Sequence, residues 1–188
     1  MLGGMILAIG ASVAVSVLLG STASANSGGR YCVQSVAPGS TATCFSSFGA
    51  SISFATGGRV NLAHATASSE VSPAELGESS ATPASMNSVP PPSLVLAIDY
   101  ATSSYRGTTL TWTGSGCSSN IGGANIPSWF NDTAQSVHAY SGCATTLFWN
   151  ATYGPPSYPV HVNGSVATMG SFNNEASSQL VCNYYGCA

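Results

Sequence analysis

The 188 residues carry three Lys or Arg against six Asp or Glu, a net charge of −3 at pH 7, with 5% of positions charged. Arg30, Arg59 and Arg106 are the whole cationic stock, too few to neutralise a run of phosphates or to hold an anionic membrane surface, which excludes nucleic acid and electrostatic membrane binding. Solubility must come instead from hydroxyls and amides, supplied by a large stock of Ser, Thr, Gly and Asn.

Residues 5–19, MILAIGASVAVSVLL, form an apolar run shorter than the roughly 20 residues a membrane-spanning helix needs. Gly20-Ser21-Thr22 and the small-residue triplet Ala23-Ser24-Ala25 follow. This layout predicts a secretory signal peptide over 1–25, cleaved after Ala25, although no Lys or Arg precedes the run. No later stretch is apolar enough to cross a membrane, so the mature chain is expected to be secreted and extracellular, free of the membrane once the signal is cleaved. Six cysteines, Cys32, Cys44, Cys117, Cys143, Cys182 and Cys187, all lie in the mature part. An even number in an exported chain predicts three disulfides, with fifteen connectivities open. None is spaced as a paired C-x-x-C or Cys/His cluster, which argues against zinc.

Residues 26–60 predict a small Cys-containing N-terminal unit. YCVQSV, the turn Ala37-Pro38-Gly39-Ser40 and TATCF form a hairpin that brings Cys32 near Cys44. Ser46 or Ser47 then caps a short helix with Phe45, Phe48, Ile52 and Ala55 on one face, ending at Gly57-Gly58. So few apolar residues need the disulfide or a partner to stay folded. Residues 61–93, rich in Ala, Ser, Pro and Glu and ending in Pro90-Pro91-Pro92, predict a mostly disordered linker. One short helix is expected around Ser72–Gly77, with Pro73 at its first position. From residue 94 to 188 short β-branched and aromatic runs recur, LVLAIDY, TTLTWT, SVHAYS, TTLFWN, YPVHV and SSQLVC, separated by Gly, Asn, Ser and Pro. They predict an all-β sandwich built from hairpins.

Catalysis finds little support. His64 lies in the linker, His138 and His161 in strand runs, and each is expected at a strand surface or in a loop. Asp99 and Asp132 are the two aspartates, and no G-x-S-x-G elbow is present. A glycosidase would need two paired carboxylates from Asp99, Asp132 and Glu175. The chain is therefore expected not to be an enzyme. Asn131, Asn150 and Asn163 begin N-x-S/T sequons, frequent by chance in a chain this rich in Asn, Ser and Thr.

Two segments echo each other about 48 residues apart: YATSSYRG from Tyr100 and FWNATYGP from Phe148. Each is followed by a polar cluster entered by an aromatic, Asn131-Asp132-Thr133-Ala134-Gln135-Ser136 after Phe130 and Asn173-Asn174-Glu175-Ala176-Ser177-Ser178 after Phe172. Over residues 94 to about 182 this resembles the paired Greek-key motifs of βγ-crystallins, whose pattern is an aromatic, six residues, Gly, and later N/D-N/D-x-x-S/T-S. The resemblance implies a βγ-crystallin-like double Greek-key sandwich, preceded here by the disulfide-linked hairpin and helix unit and its linker. It also implies Ca2+ as a ligand, a hard cation suited to carbonyls, amides, carboxylates and hydroxyls.

In the family the third-position carbonyl and fifth-position hydroxyl are ligands. That points to Glu175 and Ser177, with Asn173 and Asn174, as the stronger site. Asn131, Asp132 and Thr133 form a weaker one, because Gln135 stands where Ser or Thr is expected. Pro155 replaces the second hairpin's Gly, so that hairpin is expected to be reshaped around Gly154, and the family's sites draw a ligand from the hairpin of the paired motif. Proximity in the assumed fold joins Cys117 to Cys143 and Cys182 to Cys187. The implied role is a secreted structural or binding module, an adaptor in an extracellular assembly whose partner is another extracellular protein. Actinobacterial secreted proteins of this fold suggest the alternative of a protease inhibitor or killer-toxin-like effector, with Trp149–Tyr158 as the inhibitory loop.

Overall fold

Strand β3, Leu94–Thr102, is buried over six consecutive residues, and its unbroken apolar run already implies cover on both faces. In the computed structural model, which describes residues 30–62, 65, 68–76, 93–117 and 122–184, both covers are present. The expected signal peptide, most of the linker, His64 and Cys187 lie outside the described residues.

After β3 come β4 (Arg106–Gly114), β5 (Gly122–Asn125), β6 (Ser136–Ala139), β7 (Ala144–Asn150), β8 (Gly154–Val160), β9 (Ser165–Val166) and β10 (Ser178–Cys182). Strands β3–β6 and β7–β10 form two four-stranded motifs, and the third strand of each crosses to the other sheet. Thus β9 pairs with β6, with Val166 opposite Val137, and β5 pairs with β10, with Asn125 opposite Ser178. The fold is an all-β, βγ-crystallin-like double Greek key, and the exchange of β5 and β9 interlocks its two halves. Between the sheets lies a core of Leu110, Trp112, Phe130, Val137, Leu147 and Phe172.

Preceding this body, β1 (Tyr31–Ser35) and β2 (Thr43–Phe45) form the expected hairpin, with Cys32 opposite Cys44 and disulfide-bonded to it. β1 also runs parallel to β4, Tyr31–Ser35 opposite Thr109–Thr113, so the first sheet has the order β2-β1-β4-β3-β6-β9 and the second β5-β10-β7-β8. The sheet edge is the partner the small unit needs.

Helix α1, Phe48–Ala55, starts at Ser47, whose Oγ accepts from the Ala50 N–H at 3.3 Å. Phe48, Ile52 and Ala55 are its buried face, packed with Tyr31, Ile98 and Tyr100 on the outer side of the first sheet. Each large apolar side chain buried there contributes about 2 kcal/mol. Phe45 belongs to β2 rather than to the helix. Gly57 and Gly58 close the helix at φ +62° and +79°, with the Gly58 N–H donating to the Ser53 carbonyl at 2.7 Å. Gly49 is required because a Cβ there would lie 2.1 Å from the Leu62 carbonyl oxygen.

Residues 68–76, inside the stretch expected to be a disordered linker, strap across this same outer face. The Tyr100 hydroxyl donates to the Ser69 carbonyl at 3.2 Å and the Tyr140 hydroxyl to the Val71 carbonyl at 2.8 Å. Val71 and Leu76 are buried beside the helix. At Ser72 the expected helix is a single turn, in which the Ser72 N–H donates to Glu75 Oε2 and the Glu75 N–H to Ser72 Oγ.

His138, expected at a strand surface, is buried under this strap. Its ring stacks on Tyr140 at 4.1 Å, and Nδ1 lies 3.3 Å from Glu70 Oε1 without hydrogen-bond alignment. Burial pulls its pKa below the usual imidazole value, with Glu70 opposing. The Cys117–Cys143 bridge is formed, and Cys182 is disulfide-bonded as well.

Asp99 sits in the inter-sheet core, fully buried, accepting from Trp112 Nε1 at 2.7 Å. Burial pushes its carboxyl up to about 7 against the hydrogen bonds from Trp112 and Gln179. Asp99 Oδ1 lacks a conventional hydrogen-bond partner. The raised pKa means that the folded chain holds a proton between about pH 4 and 7 that the unfolded chain releases. This contribution to stability therefore falls as pH rises through that window and is flat above it. Asp99→Asn keeps the shape and supplies an N–H at every pH. Chemical denaturation from pH 4 to 8 is expected to show the variant gaining on wild type by a few kcal/mol across the window. A constant difference would refute the buried neutral acid.

Candidate functional site

The two echoing hairpins adopt one backbone geometry. Ser104 and Tyr105 lie at φ +62° and +61°, Thr152 and Tyr153 at φ +54° and +63°. Tyr105 meets Tyr100 edge-on at 5.6 Å, and Tyr153 meets Phe148 edge-on at 5.7 Å. The last serine of each polar cluster closes its own motif's hairpin. Ser136 Oγ donates to the Thr102 carbonyl at 2.8 Å and accepts from the Tyr105 N–H at 3.0 Å. Ser178 Oγ donates to the Asn150 carbonyl at 2.7 Å and accepts from the Tyr153 N–H at 2.9 Å. Both serines are fully buried, so each hydroxyl satisfies two turn groups that would otherwise be left without partners.

Pro155 is accommodated differently from expectation. Gly154 keeps φ −75°, while Thr152 and Tyr153 take the left-handed conformation. In the first hairpin Gly107 still sits at φ +84°. The left-handed pair is common to both hairpins, and in the second it is held by Ser178 and by Asn125 Oδ1, which accepts from the Thr152 N–H at 2.8 Å.

The polar clusters are joined crosswise. Asp132 and Asn174, the second residue of each, lie at φ +54° and +63°. The Asp132 N–H donates to the Ala176 carbonyl at 3.0 Å, and the Asn174 N–H to the Ala134 carbonyl at 2.9 Å. Their side chains cross as well: Ser177 Oγ donates to Asp132 Oδ1 at 3.2 Å, and Gln135 Nε2 donates to Asn174 Oδ1 at 3.0 Å. The stronger and weaker sites read from the sequence are therefore interleaved. Ser177 stands with Asp132, whereas Asn174 stands with Gln135. What each half borrows from the paired motif is this second side chain, while its hairpin comes from its own motif.

The remaining ligand candidates are turned to local work. Asn173 Oδ1 accepts from the Met169 N–H at 3.0 Å and its Nδ2 donates to Thr168 Oγ1 at 3.2 Å. Thr133 Oγ1 donates to the Asn131 carbonyl at 3.1 Å. Asn131 donates its backbone N–H to the Pro127 carbonyl. Two sequon amides are also in use, Asn150 Nδ2 donating to the Pro155 carbonyl and Asn163 Oδ1 accepting from the Gly142 N–H, both at 2.8 Å.

Chemically, the Asp132–Ser177 half offers an exposed carboxylate beside a hydroxyl and a backbone carbonyl, donors that fit a hard cation. Among the described residues no three His, Cys, Asp or Glu side chains converge, so neutral oxygens would make up most of any coordination shell. Asp99 and His138 face opposite sides of one sheet, inward with Trp112 and outward with Tyr140. Trp149–Tyr158 runs from β7 through a single 3-10 turn into β8, with Trp149 edge-on to Phe172 at 6.0 Å.

No family profile and no curated protein matches the chain. Among solved structures it is similar to a βγ-crystallin domain from Clostridium beijerinckii, at 14% identity and TM-score 0.37, over 47% of this chain and 98% of that one. A βγ-crystallin domain from Flavobacterium johnsoniae matches at 18% identity and TM-score 0.36, over 50% and 98%. A βγ-crystallin domain of the Abundant Perithecial Protein from Neurospora crassa, solved in the Ca2+-bound form, matches at 16% identity and TM-score 0.37, over 52% and 94%. The strand order and register described above carry the fold.

Ser136→Ala and Ser178→Ala each remove two hydrogen bonds from a buried turn and are expected to cost about 1–3 kcal/mol of unfolding free energy. Exposed Ser46→Ala is expected to stay within about 0.5 kcal/mol of wild type. Denaturant titration of the three variants checks this, and equal midpoints would remove the serines' role.

Proposed function

We propose that this chain is a secreted, non-catalytic structural or binding module, an adaptor for another extracellular protein, whose crystallin-like body is steadied by Ca2+. The observation that carries the calcium reading is the contact of Asp132 Oδ1 with Ser177 Oγ. It puts an anionic oxygen from one motif against a hydroxyl from the other, and the Glu175 carbonyl belongs to the same loop as Ser177. A cation held there supplies a crosslink between the two motifs, which is a structural effect. The Cys32–Cys44 and Cys117–Cys143 bridges support an oxidising compartment. So does the signal-like N-terminus, which predicts that the mature chain begins at Asn26, a position N-terminal sequencing reads directly.

With one carboxylate in the donor set, affinity is expected in the weak extracellular class, a dissociation constant near 10⁻⁴ M. Millimolar calcium then adds about 1.4 kcal/mol of stability, a rise in Tm of about 3–8 °C. Ser177→Ala is expected to abolish the difference between calcium and chelator. If wild type melts at the same temperature in both, the calcium part of the reading is withdrawn. The adaptor part is tested by pull-down with the tagged mature protein from culture supernatant, where a stoichiometric extracellular partner is expected. Stoichiometric inhibition of a metalloprotease would replace the adaptor with an inhibitor.

A further inference from the structure

The two halves of the crossed cluster are related by the fold's internal symmetry, yet their fifth-position side chains do opposite things. Ser177 places a small hydroxyl beside the Asp132 carboxylate. Gln135 is fixed at its backbone, its N–H donating to the Tyr100 carbonyl and its carbonyl accepting from the Met169 N–H. Its amide then reaches in both directions. Oε1 accepts from the Ser103 N–H at 3.3 Å and from Ser103 Oγ at 3.4 Å, and Nε2 donates to Asn174 Oδ1 at 3.0 Å.

We propose that the Gln135 amide takes the place of a cation in its half of the cluster, so that the chain binds one divalent ion rather than two. The inference rests on the calcium reading above and sets its stoichiometry. The amide ties the first hairpin, at Ser103, to the loop of the second motif, at Asn174. A metal ion would make that same connection between the motifs. The amide accepts at Ser103 through Oε1 and donates at Asn174 through Nε2, so the positive end of an N–H faces Asn174 Oδ1, the oxygen a cation would need. A cation entering this half must displace these hydrogen bonds and finds no carboxylate in return, since Asn174 replaces the symmetry-related Asp132. The Gln135 half is ordered without metal, and the Ser177 half gains from one.

Calorimetric titration with CaCl2 alone and melting in chelator test this on the full mature chain. Wild type is expected to bind one Ca2+. Gln135→Ser and the isosteric Gln135→Glu each replace the donor by oxygen and are expected to bind two, the second ion more tightly in Gln135→Glu, which alone also supplies a carboxylate. Gln135→Ser is also expected to melt about 2–6 °C lower than wild type in chelator and to recover in calcium. Gln135→Ser/Ser177→Ala is expected to bind one ion, at the rebuilt half. Two ions on wild type, or no additional ion on either Gln135 variant, overturns the proposal. No ion on wild type with one on a Gln135 variant keeps the amide in the cation's place, but overturns the stoichiometry of one and removes the Ser177 site.

Discussion

Each half of this sandwich depends on one buried hydroxyl. Ser136 and Ser178 both donate to a carbonyl at the end of the first strand of their motif and accept from the N–H of the left-handed aromatic that follows. A left-handed pair of non-glycine residues is costly, and it is stable here because the serine and the edge-on aromatic contact both reward that geometry. Once the hairpin folds back, the polar cluster that carries the serine is pinned to it. The cross-joining of the two clusters, Asp132 to Ala176 and Asn174 to Ala134, then holds the motifs to each other. The candidate cation loop is a by-product of this lock, lying one residue before the serine that makes it.

The other organising constraint is that the first sheet is apolar on both sides. Tyr100, Ile98 and Val95 face outward with Tyr140, and a crystallin-like body alone has nothing to cover them. The N-terminal unit and the strap at 68–76 supply the cover. Helix α1 lays Phe48 and Ile52 on the tyrosines, and the strap's carbonyls accept from their hydroxyls. Phenol tips that would be unsatisfied under a helix of apolar side chains meet backbone acceptors instead. The buried His138 ring lies against the exposed Glu70 of the same strap.

Much of this was legible in the sequence, for definite reasons. The strands that the runs LVLAIDY, TTLTWT and TTLFWN announce are long and rich in β-branched and aromatic residues, and the doubled motif located both hairpins. β5 and β9, built from GGAN and SV, have no propensity to read. They are strands because β10 and β6 offer them edges. The parallel pairing of β1 with β4 left no local trace either, since a parallel partner is set by a long return path rather than by turn residues. Residues 68–76 read as linker because their composition is polar, yet they bind through backbone carbonyls, which composition does not report. The motif spacing placed the ligand candidates in two polar clusters, each read as its own site. The crosswise pairing of Asp132 with Ser177 needs the second motif folded against the first. Pro155 was rightly seen as incompatible with positive φ, but Gly154 does not take over that conformation and keeps φ −75°.

The parallel seating of β1 on β4 also joins a local element to a distant one. Tyr31 faces Thr109 and Ser35 faces Thr113, so a chain made from its N-terminus has its first hairpin long before the edge that receives it. Cys32 and Cys44 are 12 residues apart, and their bridge closes a loop short enough to form without the rest of the protein. The hairpin is therefore closed by a local crosslink and held in place by a distant partner, the edge of β4.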